Sequence, residues 1–112
     1  MRVLAYVPDL IDRSKLSGAL PGVVLLRRPE ELDGCEADLV VVDLGRPGVL
    51  EVLPRVRATR LIGFASHVDR GALAAARAVG CDAMARSKFF SSLAELSAAA
   101  PAAASELERE SG

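Results

Sequence analysis

Leu39-Val40-Val41-Val42 is an unbroken apolar run, rich in β-branched residues and bounded by Asp38 and Asp43. A strand with one wet face alternates apolar and polar residues, whereas a strand covered on both faces has no polar side to present. The run therefore predicts a parallel sheet with helices packed on both of its faces. Four further segments fit that scheme. Residues 3–7 form a short apolar run that stops at Pro8-Asp9, where proline forces extended backbone on Val7 and Asp9 offers a helix cap. Residues 23–26 read as a second buried strand, residues 61–65 as a fourth and residues 81–85 as a weaker fifth.

Helical segments fall between these runs. Residues 10–20 follow the Asp9 cap, carry Asp12 in the first turn and stop before Pro21-Gly22. Pro29-Glu30-Glu31-Leu32 starts a short helix with proline where its missing N–H costs nothing. Gly45-Arg46-Pro47-Gly48 is a turn, and a helix over residues 49–56 follows it, with Pro54 as a defect. Asp69 caps a helix in which Leu73, Ala76 and Val79 recur at helical spacing, and Gly80 ends it. Ser87 or Ser91 precedes a last helix with Phe89, Leu93, Leu96 and Ala100 on one stripe. Five β-α units demand right-handed crossovers, and the expected fold is a flavodoxin-like three-layer α/β sandwich with strand order 2-1-3-4-5. The expected domain spans residues 1–97. Residues 98–112 are rich in Ala, Pro and Glu and are expected to fray.

Composition excludes several classes of function. The chain has 112 residues, enough for one domain, and 51% of them are hydrophobic, a proportion that suits a packed core. Its net charge of −1 argues against a broad electrostatic grip on nucleic acid. No apolar run reaches membrane-spanning length, and the N-terminus lacks a signal-peptide pattern, so a cytoplasmic location is expected. Cys35 and Cys81 stand apart, and His67 is the only histidine, which speaks against a disulfide or a zinc site. No Gly-rich phosphate loop is present, and no cofactor is expected.

Chemistry in doubly wound folds gathers at the carboxyl edge of the sheet, near the reversal of strand order. There the sequence places Val7 and Pro8, then Asp43, then Ser66 and His67, and finally Arg86, Ser87 and Lys88. Val40-Val41-Val42-Asp43-Leu44 leading to Pro47-Gly48, Phe64-Ala65-Ser66, and Ala78-Val79-Gly80-Cys81-Asp82 together resemble the receiver domain of response regulators, the CheY-like signalling module. The resemblance implies that Asp43 stands where receivers accept phosphate, and that Ser66 stands at their hydroxyl position. It also locates the departures. The register of the acidic pair that holds magnesium is filled by Val7 and Pro8, neither of which ligates a hard cation through its side chain. The lysine position falls on Ser87, with Arg86 and Lys88 on either side. Phosphoryl transfer to a carboxylate depends on neutralising charge, so losing the metal ligands removes several powers of ten in rate.

The expected molecule is thus a pseudo-receiver that is not an enzyme, has no catalytic or metal-ligating residues, and acts through protein–protein contact. With no attached DNA-binding or enzymatic segment, its output passes to another chain. The resemblance suggests a partner or a second copy bound on the face between Leu73 and Val79 and between Phe89 and Leu96. Asp43, Ser66 and Lys88 are the candidate phosphoacceptor or anion-site residues, and His67 and Arg86 the candidate switch or ligand contacts. The plainer readings place Asp43 in a turn hydrogen bond or paired with Arg46, Arg86 or Lys88. They make Ser66 a loop hydroxyl, His67 a half-exposed loop residue, and Asp9 and Asp12 helix-end residues. Arg27-Arg28 reads as a solvated strand end. Two alternatives remain: a true phosphoacceptor modified at Asp43, and a small-ligand-binding flavodoxin-like domain.

Overall fold

The computed structural model describes residues 1–95. Strands β1 (Val3–Tyr6), β2 (Val24–Leu25), β3 (Glu36–Asp43), β4 (Arg57–Ala65) and β5 (Asp82–Ala85) form one sheet in the order β2-β1-β3-β4-β5. Every pairing is parallel. The connections carry helices α1 (Leu10–Ala19), α2 (Val49–Val52), α3 (Arg70–Ala78) and α4 (Arg86–Ser91). Two 3-10 turns, Pro29–Leu32 and Leu53–Arg55, complete them. This is the expected flavodoxin-like arrangement. No described helix is long and apolar enough to cross a membrane.

The central strand explains the sandwich. Val41 points with Ala5, Ile62 and Phe64 toward Leu16 of α1, Leu20 at its C-cap and Phe89 of α4. Val40 and Val42 point with Leu4 and Tyr6 toward Val49 of α2 and Leu73 and Ala76 of α3. Val40, Val41 and Val42 are all fully buried, each stabilising the fold by roughly 1.5–3 kcal/mol as an upper estimate. Gly63 of β4 leaves room for Leu44, whose side chain would lie 2.7 Å from a Cβ at that position.

Several elements differ from the sequence expectation, each for a physical reason. The second strand is two residues long and not buried: Val24 is 51% exposed. It lies at the sheet edge, and only one 3-10 turn follows it. The helix expected over residues 49–56 stops at Val52, and Pro54 converts the remainder to a 3-10 turn. Gly48, at φ 84°, supplies the left-handed backbone that starts α2. The last helix begins at Arg86, directly after β5 and before either expected serine, with Ala85 at its cap position. The Ser91 and Ser92 hydroxyls both donate to the Lys88 carbonyl, at 3.0 and 2.7 Å, where α4 ends. Leu96, Ala100 and the tail from Ala98 lie outside the described residues.

Strands β3 and β4 both start earlier than their apolar runs, through Glu36-Ala37-Asp38 and Arg57-Ala58-Thr59-Arg60. Strict alternation would put Ala37 and Val40 on opposite faces, as it would Ala58 and Leu61. All four instead meet the same core cluster. The irregularity sits at Asp38. The N–H groups of Asp38 and Leu39 both donate to the Arg2 carbonyl, at 3.0 and 3.2 Å, a bulge that resets the pleat.

Candidate functional site

The loops at the carboxyl edge bring five charged residues together: Asp9, Asp12, Asp43, Arg46 and Arg86. Asp43 closes β3 and is 8% exposed. Its Oδ1 accepts from the Gly45 N–H at 3.0 Å, and its Oδ2 accepts from Arg46 Nε at 3.2 Å. Both oxygens are therefore engaged within its own loop. Tyr6 pairs with Val42 in the ladder, so Val7 follows at the level of Asp43. Val7 is buried among apolar side chains of the α1–α4 face.

Asp9 caps α1 by accepting from the Ile11 and Asp12 N–H groups at 2.9 and 3.0 Å. Its pKa lies below the ordinary 3.8, chiefly because the Asp12 N–H bonds its carboxylate, aided by the Ile11 N–H and by the charges of Arg86 and Arg46. Asp12 is the residue that sequence reasoning underestimated. It lies in the first turn of α1 as expected, but it is completely buried, and its Oδ1 accepts a hydrogen bond from Arg86. Its Oδ2 has no hydrogen-bond partner among the described residues. The signal was available. Asp12, Leu16 and Leu20 recur every four residues, so the buried stripe of α1, followed backwards, ends on a carboxylate. Leu10 and Ile11 beside it face solvent, at 77% and 67% exposure.

Arg86 follows β5 and lies across the site. Its guanidinium carbon sits 5.5 Å from the centroid of the Phe64 ring and 5.1 Å from that of Phe90. Phe64 and Phe89 stack at 5.0 Å, and Phe90 meets both rings edge-on. Lys15 approaches Phe90 at 5.1 Å from α1. The bond to Asp12 raises the Arg86 pKa above its already high ordinary value, and the charges of Asp12, Asp43 and Asp9 add to it. A fixed cation thus stands among three carboxylates, held by a buried one and by two aromatic faces.

The other sequence candidates share no hydrogen bond or ion pair with this cluster among the described residues. The Ser66 hydroxyl accepts from the Val68 N–H at 3.4 Å, a local loop contact. His67 is exposed in the same loop. Lys88 is exposed on α4, and its ammonium pairs with no carboxylate among the described residues. Among the described residues, no group of three or more His, Cys, Asp or Glu side chains is arranged to hold a metal ion. A shallow groove of about 320 Å³ runs between the β3–α2 loop and the start of α3, with Arg46, Glu51 and Asp69 at its rim. No family model, curated protein or solved structure matches the chain.

Proposed function

We propose that this chain is a pseudo-receiver: a signalling module of receiver type that acts by contact with a protein partner, without metal-dependent phosphoryl transfer. One observation carries the reading. The central acid has both oxygens committed to Gly45 and Arg46, while Arg86 is held beside it by the buried Asp12. For Asp43 to attack a phosphodonor, Arg46 has to release Oδ2, and the incoming phosphoryl group has to approach a site with Val7 in place of a cation-holding acid. A catalyst of phosphoryl transfer supplies mobile countercharge to the transferred group. Here the countercharges are already spent on one another.

The partner is expected on the surface formed by the α3 and α4 segments. Leu73, Ala76 and Phe89 serve the core, leaving Ala74, Ala75, Ala78 and Val79 as its small apolar outer residues. Such residues allow close approach of another backbone.

Titration of the ¹⁵N-labelled chain with magnesium and beryllofluoride tests the reading. The expected result is no saturable shift at the amides of Asp43, Gly45 and Ser66. Saturable shifts there, or a stable phosphoryl adduct at Asp43 after exposure to a small phosphodonor, would establish a working phosphoacceptor and refute the proposal.

A further inference from the structure

The two ends of β4 are treated differently, and the difference identifies a second interaction surface. At its carboxyl end β4 pairs with β5, beginning at Ile62 with Asp82. The outer edge of β5 is guarded. Arg77 of α3 reaches over it and donates to the Ala83 carbonyl from Nη2 at 2.9 Å and from Nε at 3.3 Å. A side chain thereby occupies an acceptor that a foreign strand would use. At its amino end, residues 57–60 run ahead of β5, and no described backbone pairs with that side. The Arg57 N–H donates to the Cys35 carbonyl of the β3 side at 2.9 Å, which turns the Ala58 peptide groups toward the open side. Arg57, Thr59 and Arg60 are exposed along this edge.

Charge selects the occupant. Arg57 and Arg60 have only loose, solvent-exposed acid neighbours: Glu36 at 3.5 Å and Asp82 at 3.6 Å. Such pairs contribute little and are readily exchanged. A second copy of the chain is disfavoured, because Ala58 faces the open side in both copies, so two-fold antiparallel pairing centres on Ala58 and brings the two Arg57 side chains to diagonal positions on one face. An extended segment bearing carboxylates meets no such repulsion. We propose that the open edge of β4 at residues 57–60 docks an extended acidic segment of a partner protein as an added strand, a mode in which backbone bonds give affinity and side chains give choice. This surface is distinct from the α3–α4 face and does not depend on the pseudo-receiver reading.

The test uses the full chain and a blocked peptide alternating glutamate with valine, followed by amide chemical shifts and hydrogen exchange. The expected result is saturable, salt-sensitive binding with protection of the Ala58 amide. The same peptide N-methylated on alternate residues does not bind. The R57E/R60E variant weakens the acidic peptide by roughly ten-fold, the scale of two rim ion pairs, and binds a lysine–valine peptide instead. Ala58→Pro removes the open-side donor and abolishes protection, its fold being checked by circular dichroism. The proposal is overturned if the folded wild type shows no shifts at residues 57–61, if the N-methylated peptide binds equally well, or if the edge is protected only by self-association.

Discussion

Replacing Arg86 with alanine puts the central ion pair to a quantitative test. Asp12 has no exposed side-chain surface, whereas 45% of the Arg86 side chain is exposed. Removing one partner of a buried pair costs about 3–5 kcal/mol, because the remaining charge is stranded in a poor solvent. Water reaching the vacated guanidinium position offsets part of this, leaving about 2–3 kcal/mol. Loss of the contacts with Phe64 and Phe90 adds about 0.5–1 kcal/mol. The expected destabilisation is about 3 kcal/mol, a large share of the roughly 5–15 kcal/mol that holds a domain together. In urea the midpoint falls while the slope is retained, and the melting temperature drops by roughly 12 °C or more. Asp12→Leu combined with Arg86→Leu recovers most of the loss, since the site beneath α1 is otherwise apolar. A loss below about 1 kcal/mol for Arg86→Ala, or equal losses for the single and double variants, would show that Asp12 does not depend on this partner and refute the reasoning.

Three other outcomes follow from the same geometry. Gly63→Ala forces the buried Leu44 out of its seat and costs about 1–3 kcal/mol in urea unfolding, and the loss is non-additive with Leu44→Ala. Burial pushes the Cys81 thiol up to about 11 and also raises that of the less buried Cys35. Iodoacetamide at mildly alkaline pH therefore labels Cys35 first, with Cys81 protected until unfolding, as read by peptide mass spectrometry. The Asp9 and Glu31 carboxyls both lie below their ordinary 3.8 and 4.5, through the Asp12 N–H on Asp9 and the Arg27 N–H on Glu31. Folding holds their protons more weakly than the unfolded chain does, so their contribution is complete above those values and disappears as the pH falls through the depressed ones. Acid titration of Asp9→Ala and Glu31→Gln, followed by urea midpoint, shows less acid sensitivity than wild type.

The sheet was legible because burial on both faces writes an apolar run directly into the sequence, as at Val40-Val41-Val42. Asp43 and its turn were legible because proline and glycine punctuate the loop locally. What escaped depended on partners distant in sequence. Arg86 and Asp12 meet only after the whole sheet is assembled, and neither residue type announces burial. The polar starts of β3 and β4 escaped for a similar reason: Glu36 and Arg57 carry no strand signal except opposite each other. The short exposed β2 misled because its four aliphatic residues resemble a core strand, while edge position is a property of topology.

Placing the first strand in the interior of the sheet has a cost during synthesis. Val3 can find its neighbour only when Leu39 has emerged, and β2 pairs only with Leu4 and Ala5 of the same strand in the meantime. Strand β1 can therefore pair with β2 and pack against Leu16 early, but it gains its second flank only once β3 is made. Assembly has to wait for contacts between remote parts of the chain, a slow step for any all-parallel topology. Deleting β1 divides the sheet between β2 and β3, whereas deleting β5 leaves the remaining four strands joined.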